Sequence, residues 1–235
     1  SNQKRKMIKR ELKVIAKIYT DFPEKFGIPR QSGIVKELKG EIVFEEEFRD
    51  ASALKGLEGF SHLWLLWDFS EVREEKWRPT VRPPRLGGNK RQGVFATRSP
   101  FRPNPIGLSC VELVRIKKTA DKGTVLEVRG ADMLNGTPII DIKPYLPFTD
   151  SVPNATGGFA EEVMEDKLEV VLPEEFKNIF PEEKLSSLIA VLKGDPRPAY
   201  QDDPNREYGF DFAGYSIKFK VQENILTVTN ISENP

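Results

Sequence analysis

The sequence of 235 residues contains a single histidine, His62, and a single cysteine, Cys110. One cysteine excludes a disulfide within the chain and favours a cytoplasmic location, where thiols stay reduced. The two residues cannot supply the usual ligand sets of zinc, so we expect no metal site. A Ser-His-Asp hydrolase would need His62 as its base, but that residue lies in an apolar run and is predicted to be a packed, hydrogen-bonded strand residue.

Long hydrophobic runs are also missing. The strongest run, residues 63–69, is interrupted by Asp68 and is far shorter than the roughly 20 residues that span a bilayer as a helix. No apolar segment of the kind found in a secretory signal follows the basic start of the sequence. Hydrophobic residues make up 38% of the chain, which is enough for the core of an ordinary soluble protein.

Acidic residues are missing from residues 76–102, a Pro/Gly-rich stretch with eight cations, most of them arginines. Over the whole chain the signs balance, 36 against 36, and residues 161–183 carry nine acids against two lysines. One interpretation of the basic stretch is a solvated loop that the acidic region balances in space. Because arginine suits bidentate contact with phosphate, nucleic acid or a phosphorylated ligand is the favoured partner.

Short apolar and alternating runs predict strands through the first two thirds of the chain. They cover residues 11–19, 41–48, 60–69, 94–97, 108–116, 124–128 and 139–142. One short helix is predicted at residues 50–57, with Asp50 as its N-cap. Many strands at close spacing, without long helices between them, predict an antiparallel barrel or sandwich.

From residue 160 onward the pattern changes. A strand is predicted at residues 167–172, a helix at residues 181–193 that ends at Gly194, and a terminal hairpin at residues 215–228. This part of the chain is predicted to be a small α+β appendage. We therefore divide the sequence into a domain at residues 1–160 and a smaller one at residues 161–235.

Residues 82–89 and 93–107 form the densest candidate site. Prolines fix the backbone there and glycines allow close approach, so the arginines and Asn104 become rigidly presented donors. Three further polar turns occur at residues 27–33, 132–138 and 194–200. Each turn alone is a common motif and predicts little about function.

Taken together, six segments make the chain similar to the TrmO (TsaA-like) family: residues 60–64, 82–89, 93–107, 135–138, 141–147 and 195–200. Its members are tRNA methyltransferases that use S-adenosylmethionine and act on N6-threonylcarbamoyladenosine beside the anticodon. The resemblance, over roughly residues 15–220, implies a mainly β fold with an antiparallel β-barrel core, a small C-terminal α+β appendage and a homodimer. In agreement, the sequence has no strand-Gly-x-Gly-x-x-Gly-helix unit of a Rossmann domain.

The resemblance implies, position by position, a pocket for S-adenosylmethionine built from four segments. Its residues are Arg30, Gln31, Ser32, Phe69, Ser70, Arg98, Asp132, Met133, Leu134 and Asn135. Family members commonly have proline at the position of Ser32 and aspartate at that of Asn135. The second difference removes a carboxylate that could face the cationic end of the cofactor.

The resemblance also implies that Asp195, Arg197 and Tyr200 help to place the tRNA. Because the N6 proton must leave during methylation, we expect Asp195 or solvent to accept it, and we name Asp195 and Arg98 as catalytic candidates. The predicted substrate-binding residues are Arg82, Arg85, Arg102, Asn104, Tyr145, Arg197 and Tyr200. The first three of these would bind phosphates or the threonyl carboxylate through charge-assisted hydrogen bonds.

Two other classes of function remain open on the sequence. One is a non-catalytic RNA-binding β-barrel in which the arginine-rich loops form a basic surface. The other is a hydrolase of a phosphorylated small molecule, which the scarcity of metal ligands disfavours. Binding of S-adenosylmethionine would distinguish a methyltransferase from both.

Overall fold

The computed structural model describes residues 6–24, 28, 35–70, 76–83, 90–158, 168–198 and 201–235. The barrel strands are β1 (Ala16–Tyr19), β2 (Lys39–Phe44), β3 (His62–Asp68), β6 (Ile106–Lys118), β7 (Thr124–Arg129) and β8 (Thr137–Pro144). They close into an antiparallel barrel in the order β1-β2-β7-β6-β3-β8. Two short strands, β4 (Thr80–Val81) and β5 (Gln92–Gly93), form a separate ribbon between β3 and β6.

The barrel interior is filled by alternate residues of its strands, as expected for a small closed barrel. Ile18, Ile42, Leu63, Leu65 and Leu126 are fully buried there. Burial of each such side chain contributes about 1.5–3 kcal/mol relative to exposure. The alternation that fills this core therefore also decides which residues of each strand face outward.

The strand registers fix which connections share an end of the barrel. The end of β1 pairs with the start of β8 (Ile18↔Thr137), the end of β3 with the start of β6 (Asp68↔Ile106), and the end of β7 with the start of β2 (Arg129↔Lys39). The connections β1–β2, β3–β6 and β7–β8 consequently lie together at one end, which we call the loop end. The opposite end, where β2, β6 and β8 finish, is called the turn end.

The C-terminal part of the chain forms a second, four-stranded sheet. Its strands are β9 (Glu169–Val171), β10 (Tyr208–Phe212), β11 (Tyr215–Gln222) and β12 (Ile225–Glu233), in the order β10-β11-β12-β9 with β9 parallel to β12. The helices are α1 (Pro147–Asp150), α2 (Glu174–Lys177) and α3 (Glu182–Lys193). The predicted mainly β fold, a barrel with a small α+β appendage, is confirmed.

Helix α3 is amphipathic and buries Leu188, Val191 and Leu192 against the second sheet. It ends at Gly194, as the sequence predicts, where the Gly194 N–H donates to the Ala190 and Val191 carbonyls and the Asp195 N–H donates to the Leu192 carbonyl. None of the helices in the described part of the chain is long and apolar enough to cross a membrane.

The core of the second sheet includes residues from the β1–β2 connection. Phe22, Val35 and Leu38 are almost fully buried and belong to the same hydrophobic cluster as the residues of α3 and β10–β12. The Ser187 hydroxyl of α3 also donates a hydrogen bond to the Glu37 carbonyl at 3.0 Å. The predicted boundary near residue 160 lies outside the described residues, and the division into residues 1–160 and 161–235 stays a prediction.

Two local predictions in the first part of the chain are wrong. The predicted strand at residues 94–97 is a 3-10 helix at Val94–Ala96, because the Thr97 amide and hydroxyl both donate to the Val94 carbonyl. The predicted helix at residues 50–57 is two 3-10 helices, Ala51–Leu54 and Leu57–Gly59. Gly56 separates them with a φ of 90°, whereas the Asp50 cap is confirmed by its bond from the Ser52 N–H.

The environment of His62 and the length of β1 also differ from the predictions. His62 is hydrogen-bonded, to the Ser61 hydroxyl at 2.8 Å, but it is exposed instead of packed because it begins β3 on its outward face. Strand β1 covers only the last part of the predicted residues 11–19, because Ala16 pairs with Phe44, the last residue of β2, and the preceding residues lie beyond that strand. Strand β10 and helices α1 and α2 have no counterpart among the predictions.

Gly107 provides a test of the barrel wall, because a Cβ there would lie 2.2 Å from the Trp67 ring. We expect Gly107→Ala to displace that ring and to cost about 1–3 kcal/mol of unfolding free energy. Urea unfolding followed by tryptophan fluorescence measures this loss. Gly59→Ala is the matched control, since no atom lies within 4 Å of its added Cβ, and equal losses for both variants would contradict the packing argument.

Candidate functional site at the loop end of the barrel

The segments predicted to bind the cofactor lie in the three connections at the loop end. Residues 30–32 belong to the β1–β2 connection, residues 69, 70 and 98 to the β3–β6 connection, and residues 132–135 to the β7–β8 connection. The antiparallel topology therefore brings segments that are far apart in sequence to one end of the barrel. Arg30, Gln31 and Ser32 themselves lie outside the described residues.

A cluster of short hydrogen bonds joins the β7–β8 connection to the residues that follow β1. The Thr20 amide donates to Oδ1 of Asn135 at 2.9 Å, and the Thr20 hydroxyl donates to the Met133 carbonyl at 2.6 Å. The Asn135 amide donates to the Phe22 carbonyl at 2.7 Å. We call this set the Thr20–Asn135 clamp, because it fixes the backbone of Met133 and Asn135 relative to the barrel.

The side chains of the β7–β8 connection differ in burial. Met133 is buried in the barrel core, and Asp132 is also buried, with 8% of its surface exposed. Asn135 is exposed, and its side-chain oxygen is occupied by the clamp. An aspartate at position 135 could accept the same hydrogen bond, so the residue has a structural role that either side chain can fill.

Phe69 and Ser70 follow directly after β3. The Phe69 amide donates to the Pro105 carbonyl at 3.0 Å, which joins the two ends of the β3–β6 connection. Its ring lies 4.3 Å from the Trp67 ring, centroid to centroid, and Trp67 in turn donates to the Ser109 hydroxyl. Phe69 is half-buried and Ser70 is exposed, so the phenyl ring is held in place with part of its surface available.

Several arginines of the β3–β6 connection support the loop itself. Nη1 of Arg102 donates to the Thr97 and Ser99 carbonyls at 2.9 and 3.0 Å. The Arg78 guanidinium lies 4.0 Å from the centroid of the Phe101 ring. These contacts hold Arg78 and residues 97–102 in one arrangement, against the mutual repulsion of neighbouring cations.

Other predicted residues of this connection face solvent. Arg98 is exposed and makes no hydrogen bond or ion pair within the described part of the chain. Arg82 and Asn104 are also exposed, and the Asn104 carbonyl accepts from the Ile106 amide. Arg85 lies outside the described residues. Arg98 is thus an exposed cation of this loop that is available to an anionic ligand.

Asp195 and Arg197 form a bidentate ion pair just after α3. Nε and Nη2 of Arg197 donate to the two carboxylate oxygens of Asp195 at 2.9 and 2.8 Å, and Nη1 reaches Asp202 at 3.2 Å. The hydrogen bond that Arg197 donates to Asp195 is the main reason that the pKa of Arg197 is raised above its usual value. Asp195 adopts a left-handed backbone with φ of 59°, and Tyr200 lies outside the described residues.

The position of this pair is set by packing against the β1–β2 connection. Gly194 lies beside Val35, and Lys184 of α3 forms an ion pair with Asp21. Because Asp21 and Val35 belong to a connection at the loop end, helix α3 and the ion pair after it are attached to the same end of the barrel as the clamp.

Tyr145 lies at the opposite end of the barrel from these residues. It follows β8 at the turn end, where its ring lies 5.6 Å from that of Trp64 and its amide donates to the His62 carbonyl. Nearby, Asp150 accepts from the Leu146 amide and the Trp64 indole, and these bonds lower the pKa of its carboxyl. A single chain therefore does not bring Tyr145 to the loop end.

The Cys110 thiol could act as a nucleophile only if it were ionised, and a metal ion would need a cluster of side chains to bind it. Burial, and to a smaller degree the charge of Asp150, raises the pKa of the Cys110 thiol, which keeps it protonated and unreactive. Within the described ranges, no group of three or more His, Cys, Asp or Glu side chains could hold a metal ion. The described residues of the site offer fixed backbone, an aromatic ring, cations and the Asp195 carboxylate.

The sequence interpretation missed Thr20 and Trp67. Thr20 joins two connections, and Trp67 supports Phe69, yet neither residue belongs to a polar turn or to the arginine-rich stretch. The only sequence signal for them is that each lies close to the end of a predicted strand. Residues at such positions are candidates for holding a site in place.

Comparison with known proteins gives two matching family models. The tRNA-methyltransferase O N-terminal domain matches residues 17–151, and the TrmO C-terminal domain matches residues 165–234. A protein of Escherichia coli strain K12 named tRNA (adenine(37)-N6)-methyltransferase is 43% identical over 217 residues, which are 89% of this chain and 92% of that protein. A protein of Eikenella corrodens with the same name is 45% identical over 72% of this chain and 95% of its own length.

Solved structures agree with these sequence matches. The crystal structure of TrmO from Pseudomonas aeruginosa superimposes with a TM-score of 0.73 at 29% sequence identity. The match covers 96% of this chain and 100% of the other. The likeness therefore includes both the barrel and the second sheet.

The Thr20–Asn135 clamp can be tested by substitution at its exposed member. Asn135→Ala removes the acceptor of the Thr20 amide and is expected to cost about 1 kcal/mol of unfolding free energy, with faster hydrogen exchange at Thr20. Asn135→Asp keeps the acceptor and is expected to retain both properties. Chemical denaturation and amide exchange measure the two variants, and an aspartate variant as unstable as the alanine variant would contradict the assigned role.

Proposed function

This chain belongs to the TrmO family of tRNA methyltransferases, and we propose that it transfers a methyl group from S-adenosylmethionine to N6 of N6-threonylcarbamoyladenosine beside the anticodon of tRNA. The observation that carries the proposal is the gathering of three connections, with their family-matched segments, at one end of a closed barrel. We further propose that this end binds both the cofactor and the target nucleotide.

The described residues of the loop end fit S-adenosylmethionine by their chemistry. Phe69 offers a held aromatic surface for the adenine ring, and the clamp presents the backbone of residues 132–135 as fixed hydrogen-bonding groups. Arg98 is an exposed cation suited to the carboxylate of the methionyl end. Arg30, Gln31, Ser32 and Ser70 are proposed to complete this pocket. S-Adenosylmethionine, once bound, supplies a methyl group already activated on a sulfonium.

The remaining chemical task is to align the nitrogen and to remove its proton. Methylation forms one nitrogen–carbon bond and breaks one sulfur–carbon bond, and the N6 proton leaves to a base or to solvent. We propose Asp195 as the acceptor, because the bidentate pair with Arg197 fixes its carboxylate just after α3, at the same end of the barrel as the clamp. Arg197 fixes the orientation of that carboxylate and stabilises its ionised form.

The substrate is proposed to contact the cations around this end. Arg82, Arg85 and Arg102 would bind phosphates or the threonyl carboxylate, with Asn104 and Tyr200 as neutral partners. Nη1 of Arg102 is used by the loop, so its contribution to the substrate would come from Nε and Nη2. Tyr145 is proposed to contact substrate at the turn end or at the site of a second subunit.

We propose that the enzyme acts in the cytoplasm as a homodimer, as the family resemblance implies. Three apolar side chains around α1 support a second copy at the turn end, because Leu146, Phe148 and Val152 are 43, 103 and 63% exposed. Apolar groups so exposed favour burial at an interface.

The dimer proposal predicts a particle of twice the 26.7 kDa chain mass in light scattering. Phe148→Glu is expected to shift the mass toward that of one chain, because burial of a charge in an interface opposes association. Phe95→Glu, at another exposed phenylalanine, is the control and should leave the mass unchanged. A wild-type mass of one chain at micromolar concentration would contradict the dimer.

The methylation proposal is tested with tRNA extracted from a strain that lacks the modification. We expect methyl transfer from labelled S-adenosylmethionine, and on the order of a hundredfold lower kcat for Asp195→Asn, which removes the charge while keeping a side chain that tolerates a left-handed backbone. Arg98→Ala is expected to weaken cofactor binding in calorimetry, with Arg98→Lys as the charge-preserving control.

Two outcomes would sink this site assignment. Full activity in both Asp195→Asn and Arg98→Ala would remove the proposed catalytic residues. Absence of heat on titration with S-adenosylmethionine, together with intact tRNA binding, would favour a non-catalytic RNA-binding barrel.

A further inference from the structure

A groove of about 790 Å³ runs along the outer face of the barrel beside the loop end. Its floor is formed by outward-facing residues of β1, β2 and β7, and its wall includes Lys184 of α3. Lys39 and Arg129 lie at the loop end of the groove, and Arg49 and Lys122 lie toward the turn end. The groove thus leads away from the proposed site.

The acids that line the groove are each neutralised by a neighbour. Asp21 pairs with Lys184, and Glu41 pairs with Lys122 at 3.5 Å. Glu127 pairs with Arg115 at 2.7 Å. That hydrogen bond is the main cause of the lowered pKa of Glu127, to which the charge of Lys39 also contributes.

The cations that remain are not neutralised in this way. Lys39 and Arg129 are Cα partners across β2 and β7, and both are exposed. Within the described part of the chain neither makes an ion pair, although like charges directly opposite each other destabilise a sheet. An anion bound between them would relieve that repulsion.

Arg49 provides a third cation at the far end of the groove. Its Nε donates to the Phe44 carbonyl at 2.9 Å and its Nη1 to the Asp121 carbonyl at 3.3 Å, while its stem packs over Gly123. These bonds hold the guanidinium without cancelling its charge. Since β2 runs from Lys39 to Phe44, the two cationic ends are roughly 17 Å apart at about 3.3 Å per residue.

From this arrangement we propose that the groove binds successive phosphates of the tRNA anticodon arm next to the target nucleotide. The inference rests on the proposed function, since it extends the RNA contact from the same site. Lys39 and Arg129 bind the phosphates nearest to the site, and Arg49 binds those farther along the strand. Tyr19, 45% exposed on the groove floor, offers a flat surface for a sugar or an unpaired base.

The test uses the double variant Lys39→Gln/Arg129→Gln in the full-length protein. The matched control is Lys218→Gln/Lys220→Gln, which removes the same charge from the exposed face of β11. Binding of fluorescent unmodified tRNA is measured by anisotropy over a range of salt, together with methylation kinetics and calorimetry of S-adenosylmethionine binding.

We expect the groove variant to bind tRNA on the order of tenfold more weakly and to lower the slope of log Kd against log salt by about 1.4–1.8. Cofactor affinity and kcat at saturating tRNA should remain those of the wild type, and the control should match the wild type throughout. These results together would support the groove as the RNA track.

Unchanged tRNA affinity and an unchanged salt slope in the groove variant would overturn the proposal. A changed oligomeric mass with unchanged RNA binding would also overturn it, because the groove would then be an interface with a second copy of the chain. The anisotropy measurement reports tRNA binding and does not depend on catalysis, so failure of the methylation proposal can be distinguished from failure of the groove proposal. In that case the wild type would bind tRNA through the groove without methylating it.

Discussion

In a closed barrel of antiparallel strands, each strand must begin at the end where its neighbour finishes. This constraint places the β1–β2, β3–β6 and β7–β8 connections together, and through them segments separated by about a hundred positions in the sequence become neighbours. The segments of the proposed cofactor site and the attachment of the second sheet are both concentrated at that end. The turn end carries the β2–β3 and β6–β7 connections and the aromatic group around Trp64.

The residues at the loop end fall into those that hold the site and those that remain available to ligands. Thr20, Asn135 and one nitrogen of Arg102 are occupied by hydrogen bonds to backbone groups, whereas Arg98 makes no such bond to any residue that the structure describes. A loop that is already ordered loses less conformational entropy when it binds. The many prolines and side-chain-to-carbonyl bonds of the β3–β6 connection therefore favour binding even where they do not touch a ligand.

The sequence predicted those elements whose pattern is local. The apolar run at residues 60–69 and the helical periodicity at residues 181–193 were strong enough to locate β3 and α3 within two residues. Residues 94–97 have a strand-like composition, but the two hydrogen bonds from Thr97 to the Val94 carbonyl decide their conformation, and no propensity encodes them. The barrel itself followed from family resemblance, because apolar runs alone left a sandwich equally open.

Much of the site depends on strand register, which the sequence does not reveal. Motifs identified Arg98 and Asn135, but only the pairing of β3 with β6 and β8 shows that Tyr145 lies at the other end. Lys39 and Arg129 likewise carry no motif and become partners only through the register of β2 and β7. Long-range pairing thus limits what can be inferred from local patterns.

The shared core of the second sheet has a consequence for how the molecule unfolds. The hydrophobic cluster of the second sheet contains Phe22, Val35 and Leu38 from the β1–β2 connection of the barrel, together with residues of β10–β12 and α3. Opening either part would expose these apolar side chains to water, so the free energies of the two parts are coupled and heat should melt them in one cooperative transition. For the same reason, a ligand that binds to the β1–β2 connection would also raise the protection of distant amides in the C-terminal sheet.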